Sequence, residues 1–203
     1  DQAVRNRGTI GGNLVHADPA SDWGTVLTAL NASIDIQGPG GSRSVATEDF
    51  FQGAFTTALA ENEVVTGVTV PVLSVHDHGH DHDHEHGHEH DHGSRDIHGQ
   101  VGQYAKMAHP ASFYAVVGGA VVVTVADQRC TAARVAVGGL VPSPLRARSV
   151  ENALVGKELT PENINAAVDH LADDLGDDVI GDIFASAEFR RVVAPVEVKH
   201  ALF

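Results

Sequence analysis

The chain has almost no cysteine. Among its 203 residues there is one, Cys130. A lone thiol cannot close an internal disulfide, and it cannot hold an iron–sulfur cluster, which needs several thiolates. Cys130 lies beside Arg129 and Thr131 in a strand pattern and reads as a small, semi-buried residue. Basic residues are also scarce, with 13 Lys and Arg against 27 Asp and Glu and a net charge of −14. That balance excludes a nucleic-acid partner, which would need clustered cations to neutralise phosphate. No apolar run approaches the roughly 20 residues that span a bilayer. No secretory signal is visible, and a cytoplasmic location is expected. The chain opens at Asp1 rather than Met, so an N-terminal truncation is expected. The Gly-Lys-Ser/Thr of a Walker loop and the GxGxxG of a Rossmann turn are both missing.

Composition divides what is present into residues 1–73, a low-complexity insert or linker at 74–100, and residues 101–203. In the first region Pro19 to Leu30 reads as a helix, with Ser21 or Asp22 as its cap and Trp23, Val26, Leu27 and Leu30 at helical spacing. Ala32 to Gln37 reads as a strand with Ile34 and Ile36 on one face. Gly38 to Gly41 is a turn, and Arg43 to Val45 starts the return strand. Thr47 to Phe51 reads as a helical turn and Val64 to Val70 as a strand. In the last region Tyr114 to Ala126 reads as a long strand that Gly118-Gly119 interrupts. It is followed by Cys130 to Val137, which Gly138-Gly139 ends. Asp127-Gln128 is the hairpin turn between them. Ser149 to Leu154, Thr160 to Leu175 and Ala187 to Ala201 read as helices. Thr160 is a cap for the second, and Pro195 is expected to kink or interrupt the last. The fold class is α+β.

The most informative segment is Arg5-Asn6-Arg7-Gly8-Thr9-Ile10-Gly11-Gly12-Asn13, followed by Ala17-Asp18-Pro19-Ala20-Ser21-Asp22. Gly8, Gly11 and Gly12 remove side chains from a turn, so main-chain amides can meet a ligand closely. Thr9 and Asn13 add short polar groups. The residues alone leave two readings open, a purely structural turn and a phosphate-binding loop.

The same segment closely resembles the second FAD-binding motif of the molybdenum hydroxylase flavoproteins, namely the FAD domain of xanthine dehydrogenase and the medium subunit of carbon monoxide dehydrogenase. The resemblance continues through Gly38 to Val45, Asp49 to Phe51 and Glu63 to Pro71. It resumes at Tyr104-Ala105-Lys106 and His109 to Gly118, and ends at Phe189 to Val196. It implies the second half of a PCMH-type FAD-binding domain, then a C-terminal α+β domain with a small antiparallel sheet and helices. It further implies that Thr9, Ile10, Gly11, Gly12 and Asn13 line the FAD pyrophosphate and ribityl chain, and that Asp22 contacts the cofactor. Val65 or Thr66 would lie near the flavin through the backbone. Tyr114 is either an aromatic beside the isoalloxazine or a strand residue facing the core. Xanthine dehydrogenases carry a lysine where Val116 stands here, so NAD use of that type is not expected. The family's flavoprotein starts with another Gly-rich FAD loop, which this chain lacks, so FAD binding by this chain alone is expected to be weak. Partners implied are that missing FAD subdomain, a small chain with [2Fe–2S] clusters and a large molybdopterin chain. The function implied is an FAD-dependent oxidoreductase subunit, inactive alone, that passes electrons from the clusters through FAD to an external acceptor.

Outside the resemblance lies a histidine run, in which His76, His78, His80, His82, His84, His86, His88, His90 and His92 alternate with Asp, Glu or Gly. Imidazoles beside carboxylates attract zinc, nickel, cobalt or copper. The run has no fixed tetrahedral spacing, so weak, adventitious metal binding is expected. Its rival reading of the chain is a metal-binding or metal-storage protein on a non-catalytic flavoprotein-like scaffold. A third reading is a scaffold subunit without flavin. His16 is placed near the cofactor motif or facing solvent; His109, His170 and His200 read as surface residues. No general base or nucleophile stands out.

Overall fold

The computed structural model describes residues 2–72 and 99–203. Two short helices open the chain, α1 (Gln2–Arg7) and α2 (Ile10–His16). The glycine segment is therefore not a bend. Gly11 and Gly12 lie in the first turn of α2, which starts because Thr9 is extended and its Oγ1 accepts the Gly12 N–H at 3.0 Å. Helix α2 stops at Ala17, which takes a left-handed φ of 50°. Helix α3 (Asp22–Ala29) begins later than the sequence pattern suggests, since Pro19 and Ala20 form a turn closed by Asp18. Ser21 holds the cap position, but its hydroxyl donates instead to Asn13 Oδ1 at 2.5 Å.

Strands β1 (Ser33–Gly38) and β2 (Gly41–Ala46) form the expected hairpin, and β5 (Val64–Thr69) pairs on the other side of β1, giving an antiparallel sheet β2-β1-β5. Between them run α4 (Thr47–Phe50) and the small hairpin β3 (Phe51–Gly53) and β4 (Thr56–Thr57). Ile34 and Ile36 alternate inward and pack with Leu14, Leu27, Ala32 and Phe50. Each isoleucine contributes about 1.5–3 kcal/mol by leaving water.

The second sheet is antiparallel in the order β6-β7-β8-β9, with β6 (Gly99–Ala108), β7 (Ala115–Ala126), β8 (Arg129–Gly138) and β9 (Leu145–Arg146). Asp127 and Gln128 both take positive φ, 49° and 62°, as a two-residue hairpin turn between twisted strands requires. Strand β7 is apolar nearly throughout because both its faces are covered. Ala120 and Val122 pack with Ala29 of α3. Val121 and Val123 face the helices on the other side. Those are α5 (Arg148–Leu154), α6 (Pro161–Val168), α7 (Leu171–Leu175) and α8 (Ala187–His200).

Three sequence expectations change. Gly118-Gly119 does not interrupt β7, which keeps its register with β6 and β8 through both glycines. The two glycines instead point to opposite faces. A Cβ at Gly118 would meet the Tyr104 hydroxyl at 2.5 Å, and one at Gly119 would meet the α8 backbone at Val198 N at 3.0 Å. Residues 160–175 form two helices, α6 and α7, rather than one. Pro195 lies within α8 without ending it. Ser186 caps the start of that helix, and Arg190, Ala194, Glu197 and Val198 anchor one side of it. Among the described residues, no helix is long and apolar enough to cross a membrane.

The two sheets are joined through α3 and α4. Gly138 makes room for Thr25 of α3, since a Cβ there would lie 2.0 Å from Thr25 Oγ1. Glu48 of α4 accepts from Arg146 and Arg148, both at 2.6 Å, and Arg146 also forks onto buried Glu151. Elsewhere Arg43 clasps Glu63 with bonds of 2.8 and 2.7 Å. Those bonds, with the Ala60 N–H, hold the Glu63 carboxyl down to about 2.

Two outcomes follow. Gly119→Val forces β7 off α8 and lowers stability by about 1–3 kcal/mol, read as a fall in urea midpoint. Because Glu63 is more acidic folded than unfolded, its contribution is present above the ordinary glutamate range and vanishes as pH falls toward 2. Glu63→Gln is therefore less stable than wild type at pH 6. The two proteins converge near pH 2 in acid titrations followed by circular dichroism.

Candidate cofactor-binding site

Between α1–α3 and the β6–β7 connection lies a cleft of about 1140 Å³. One wall is the start of α2 and the turn before α3, with Thr9, Gly12, Asn13 and Ser21. The opposite wall is Lys106 of β6 with Phe113 and Tyr114. The chain's single tryptophan, Trp23, lies at the edge with 47% of its surface exposed. Arg5 and Arg7 of α1 and His16 of α2 also reach the cleft. His16 packs against Phe55 at 5.2 Å between ring centroids.

The walls are tied together by Asp22, the first residue of α3. Its Oδ1 accepts from the Tyr104 hydroxyl at 2.6 Å, and its Oδ2 from Lys106 Nζ at 2.7 Å. Burial, with the Asp22 carboxylate second, pushes the Tyr104 phenol far above its ordinary range, so it stays a donor. Two backbone bonds support the same junction, Ala115 N–H to Ala20 O at 3.3 Å and Gly139 N–H to Pro19 O at 2.9 Å. Strand β7 is entered through a tight loop. Phe113 N–H donates to His109 O, and His109 N–H to Tyr114 O, both at 2.8 Å. His109 Nδ1 accepts the Ala111 and Ser112 amides at 3.2 and 3.3 Å, and its ring packs on Phe184. His109 is thus a loop-building residue rather than a simple surface one.

The expected site residues separate into two groups. Thr9, Gly12, Asn13, Asp22 and Tyr114 converge on the cleft. Ile10, Gly11, Val65 and Thr66 do not line the cleft; Gly11 faces β5, where a Cβ on it would meet Val65 Cγ1 at 3.9 Å. Thr66 Oγ1 bonds Asp35 O at 3.2 Å. Tyr114 is 44% exposed, so of its two readings the core-facing one is set aside. Val116 is buried in the sheet core, and Lys106 brings an ammonium to the cleft wall instead. Trp23, one of the helical-spacing residues that mark α3, also lines the cleft. Lys106 and Phe113 carried no site signal of their own. The nine histidines from His76 to His92 lie outside the described residues. Among the described residues no group of three or more His, Cys, Asp or Glu is placed to hold a metal. Cys130 is buried, and burial raises its thiol pKa.

Residues 1–73 match the family described as the FAD binding domain in molybdopterin dehydrogenase. Residues 102–202 match the CO dehydrogenase flavoprotein C-terminal domain. The chain belongs to the FAD-binding medium-subunit family of the molybdenum hydroxylases. It is 35% identical over 188 residues to the nicotine 6-hydroxylase medium subunit of Paenarthrobacter nicotinovorans, covering 93% of this chain and 57% of that one. It is 37% identical over 162 residues to the glyceraldehyde dehydrogenase medium chain of Sulfolobus acidocaldarius, covering 80% and 49%. A solved carbon monoxide dehydrogenase from Hydrogenophaga pseudoflava superposes with a TM-score of 0.82 at 32% identity, covering 100% of this chain and 62% of that one. The chain therefore spans about half to three-fifths of the length of these relatives.

The cleft suits the group that this family binds. Its volume, about 1140 Å³, lies just above the roughly 300–1,000 Å³ of ligand and cofactor pockets. Gly11, which faces β5 and does not line the cleft, is a separate open position. Glycine in a helix costs about 1 kcal/mol relative to alanine, and at Gly11 the protein's own packing leaves room for a methyl group. The bare position is not explained by the fold itself, whereas Gly8 is, because a Cβ there would meet Val4 O at 2.8 Å.

Thr9 is the cap on which the geometry of this wall rests. Thr9→Ala is expected to cost about 1 kcal/mol in global stability, measured by urea unfolding. An unchanged midpoint would mean that α2 does not depend on this hydroxyl.

Proposed function

We propose that the chain forms part of the medium subunit of a molybdenum hydroxylase and that its task is to hold FAD in the cleft beside α2 and α3. Substrate would be oxidised at a molybdopterin centre on a large chain, and [2Fe–2S] clusters on a small chain would deliver electrons to this subunit. Bound there, FAD supplies the exchange between one-electron delivery from the clusters and the needs of an external acceptor. Everything else asked of this chain is binding and orientation.

The observation that carries the reading is the meeting, in one cleft, of a glycine-bearing helix start and an aromatic pair from the loop between β6 and β7. Thr9 and Asn13 offer short polar side chains, and Gly12 a surface without a side chain, to the diphosphate and ribityl chain. Gly11 keeps the β5-facing side of α2 open beside Val65. Tyr114 offers a ring face to the isoalloxazine. Asp22 fixes the wall between these two regions. No residue here needs to act as a nucleophile or general base. The names of the relatives span a nicotine hydroxylase, a glyceraldehyde dehydrogenase and carbon monoxide dehydrogenases, in keeping with a subunit that does not choose the substrate.

Gly11→Ala separates folding from ligand binding. In the complete flavoprotein assembled with its partners, this variant keeps or gains stability, by up to about 1 kcal/mol. Its FAD affinity falls about ten-fold or more, about 1.4 kcal/mol, as read by flavin retention on dilution. Undiminished retention would remove the β5-facing side of α2 from the cofactor site.

A further inference from the structure

The strongest unexplained feature of the cleft is the backbone at Phe113. It takes a φ of 62°, in the left-handed region, although it is not glycine. The residue is 63% exposed and lines the cleft, so burial does not compensate for the conformation. Such strain persists where surrounding contacts over-determine it, and it concentrates where a site needs a particular shape. One cation supplies such a contact. Lys106 Nζ donates to Phe113 O at 2.9 Å while holding Asp22 Oδ2 at 2.7 Å. One ammonium thus bridges the first turn of α3, on one wall of the cleft, and the carbonyl of the strained residue on the other. Tyr104 occupies the remaining Asp22 oxygen, so both carboxylate oxygens already have protein donors. Gly118 is bare because Tyr104 lies across it.

We propose that Lys106 is a positioning residue for the flavin: through its bridge from Asp22 to the Phe113 carbonyl, it fixes the Phe113–Tyr114 pair in the orientation that presents both rings to the cofactor. The inference rests on the flavin reading of the cleft and deepens it. Asp22 then serves the cofactor through Lys106, as the anchor of that bridge. The bridge is polar and about a quarter to two-fifths exposed, with side-chain accessibilities of 26% for Lys106 and 41% for Asp22. Its value is therefore geometric rather than a large ion-pair energy. Three of the ten Phe, Trp and Tyr residues, Trp23, Phe113 and Tyr114, line this one cleft, so their orientation decides how a planar ring is held there.

The test uses the complete flavoprotein, assembled with its partners, and reads the flavin rather than turnover. A ring in contact with a flavin quenches its emission. Lys106→Met keeps the length of the side chain and removes the charge. It is expected to retain FAD but raise flavin fluorescence yield several-fold and change the flavin's visible circular dichroism. Lys106→Arg, which can still bridge both oxygens, is expected to restore both signals to near wild type. Phe113→Gly provides the second arm, since glycine takes a left-handed φ without strain. In that background Lys106→Met should lose most of its effect, as a double-mutant cycle would register. Wild-type protein that carries no flavin would overturn the reading of the cleft itself. Wild-type protein with quenched flavin, beside a Lys106→Met variant equally quenched or merely less stable, would leave the flavin reading standing and overturn the role given to Lys106. An undiminished Lys106→Met effect in the Phe113→Gly background would overturn it as well.

Discussion

Helix α3 lies against the four-stranded sheet where side-chain bulk has been removed. Gly138 admits Thr25, and Ala120 and Ala136 meet Ala29 in a small apolar layer. Close packing of this kind leaves little freedom for the helix to slide or rotate. The start of α3 is pinned at the same time, by Tyr104 and Lys106 on Asp22 and by Gly139 on the Pro19 carbonyl. Helix α2 is fixed in turn, because Ser21 bonds Asn13 and Leu14 enters the core shared with Leu27. The cleft walls are therefore set by one helix docking on one sheet.

That docking explains why so few large residues stand where the two parts meet. The strand that receives α3 is covered on its other face by α8, and Gly119 keeps the distance there short. Two adjacent glycines thus serve two faces of one strand. Charge works alongside packing at the second joint, where Glu48 takes both Arg146 and Arg148. Arg190, buried in α8, donates to the carbonyls of Val116 and Gly139 and to Asp182, so the loop that receives Pro19 is held from beneath.

Much of this was legible in the sequence, for identifiable reasons. Ile34 and Ile36 alternate strictly, and Asp127-Gln128 separates two β-branched runs, so both hairpins could be read locally. Thr160-Pro161-Glu162 marked a helix start that the structure keeps, with Thr160 Oγ1 accepting the Asn163 N–H. Helix α2 was not legible, because two glycines in one turn argue against a helix and only the Thr9 cap and burial of Leu14 counter them. The Gly118-Gly119 pair misled for the opposite reason, since glycine's weak strand propensity is overridden by what packs against each face. The Tyr114 assignment depended on resemblance, and the helical spacing that correctly put Trp23 in α3 carried no sign that it lines the cleft. The bond from Lys106 to Asp22 spans 84 positions, and no local pattern announces a contact at that separation.

The central claim is that one cleft, built from the start of α2, the turn before α3 and the 106–114 segment, receives FAD. Amide hydrogen exchange on the assembled flavoprotein, with FAD and after its removal, addresses that claim without any substitution. The account predicts that FAD slows exchange together at residues 9–13, 20–23 and 106–115, while the helices beyond the far face of the sheet, α5 to α7, stay unchanged. Slowed exchange confined to other surfaces, with these three segments indifferent to bound FAD, would contradict it.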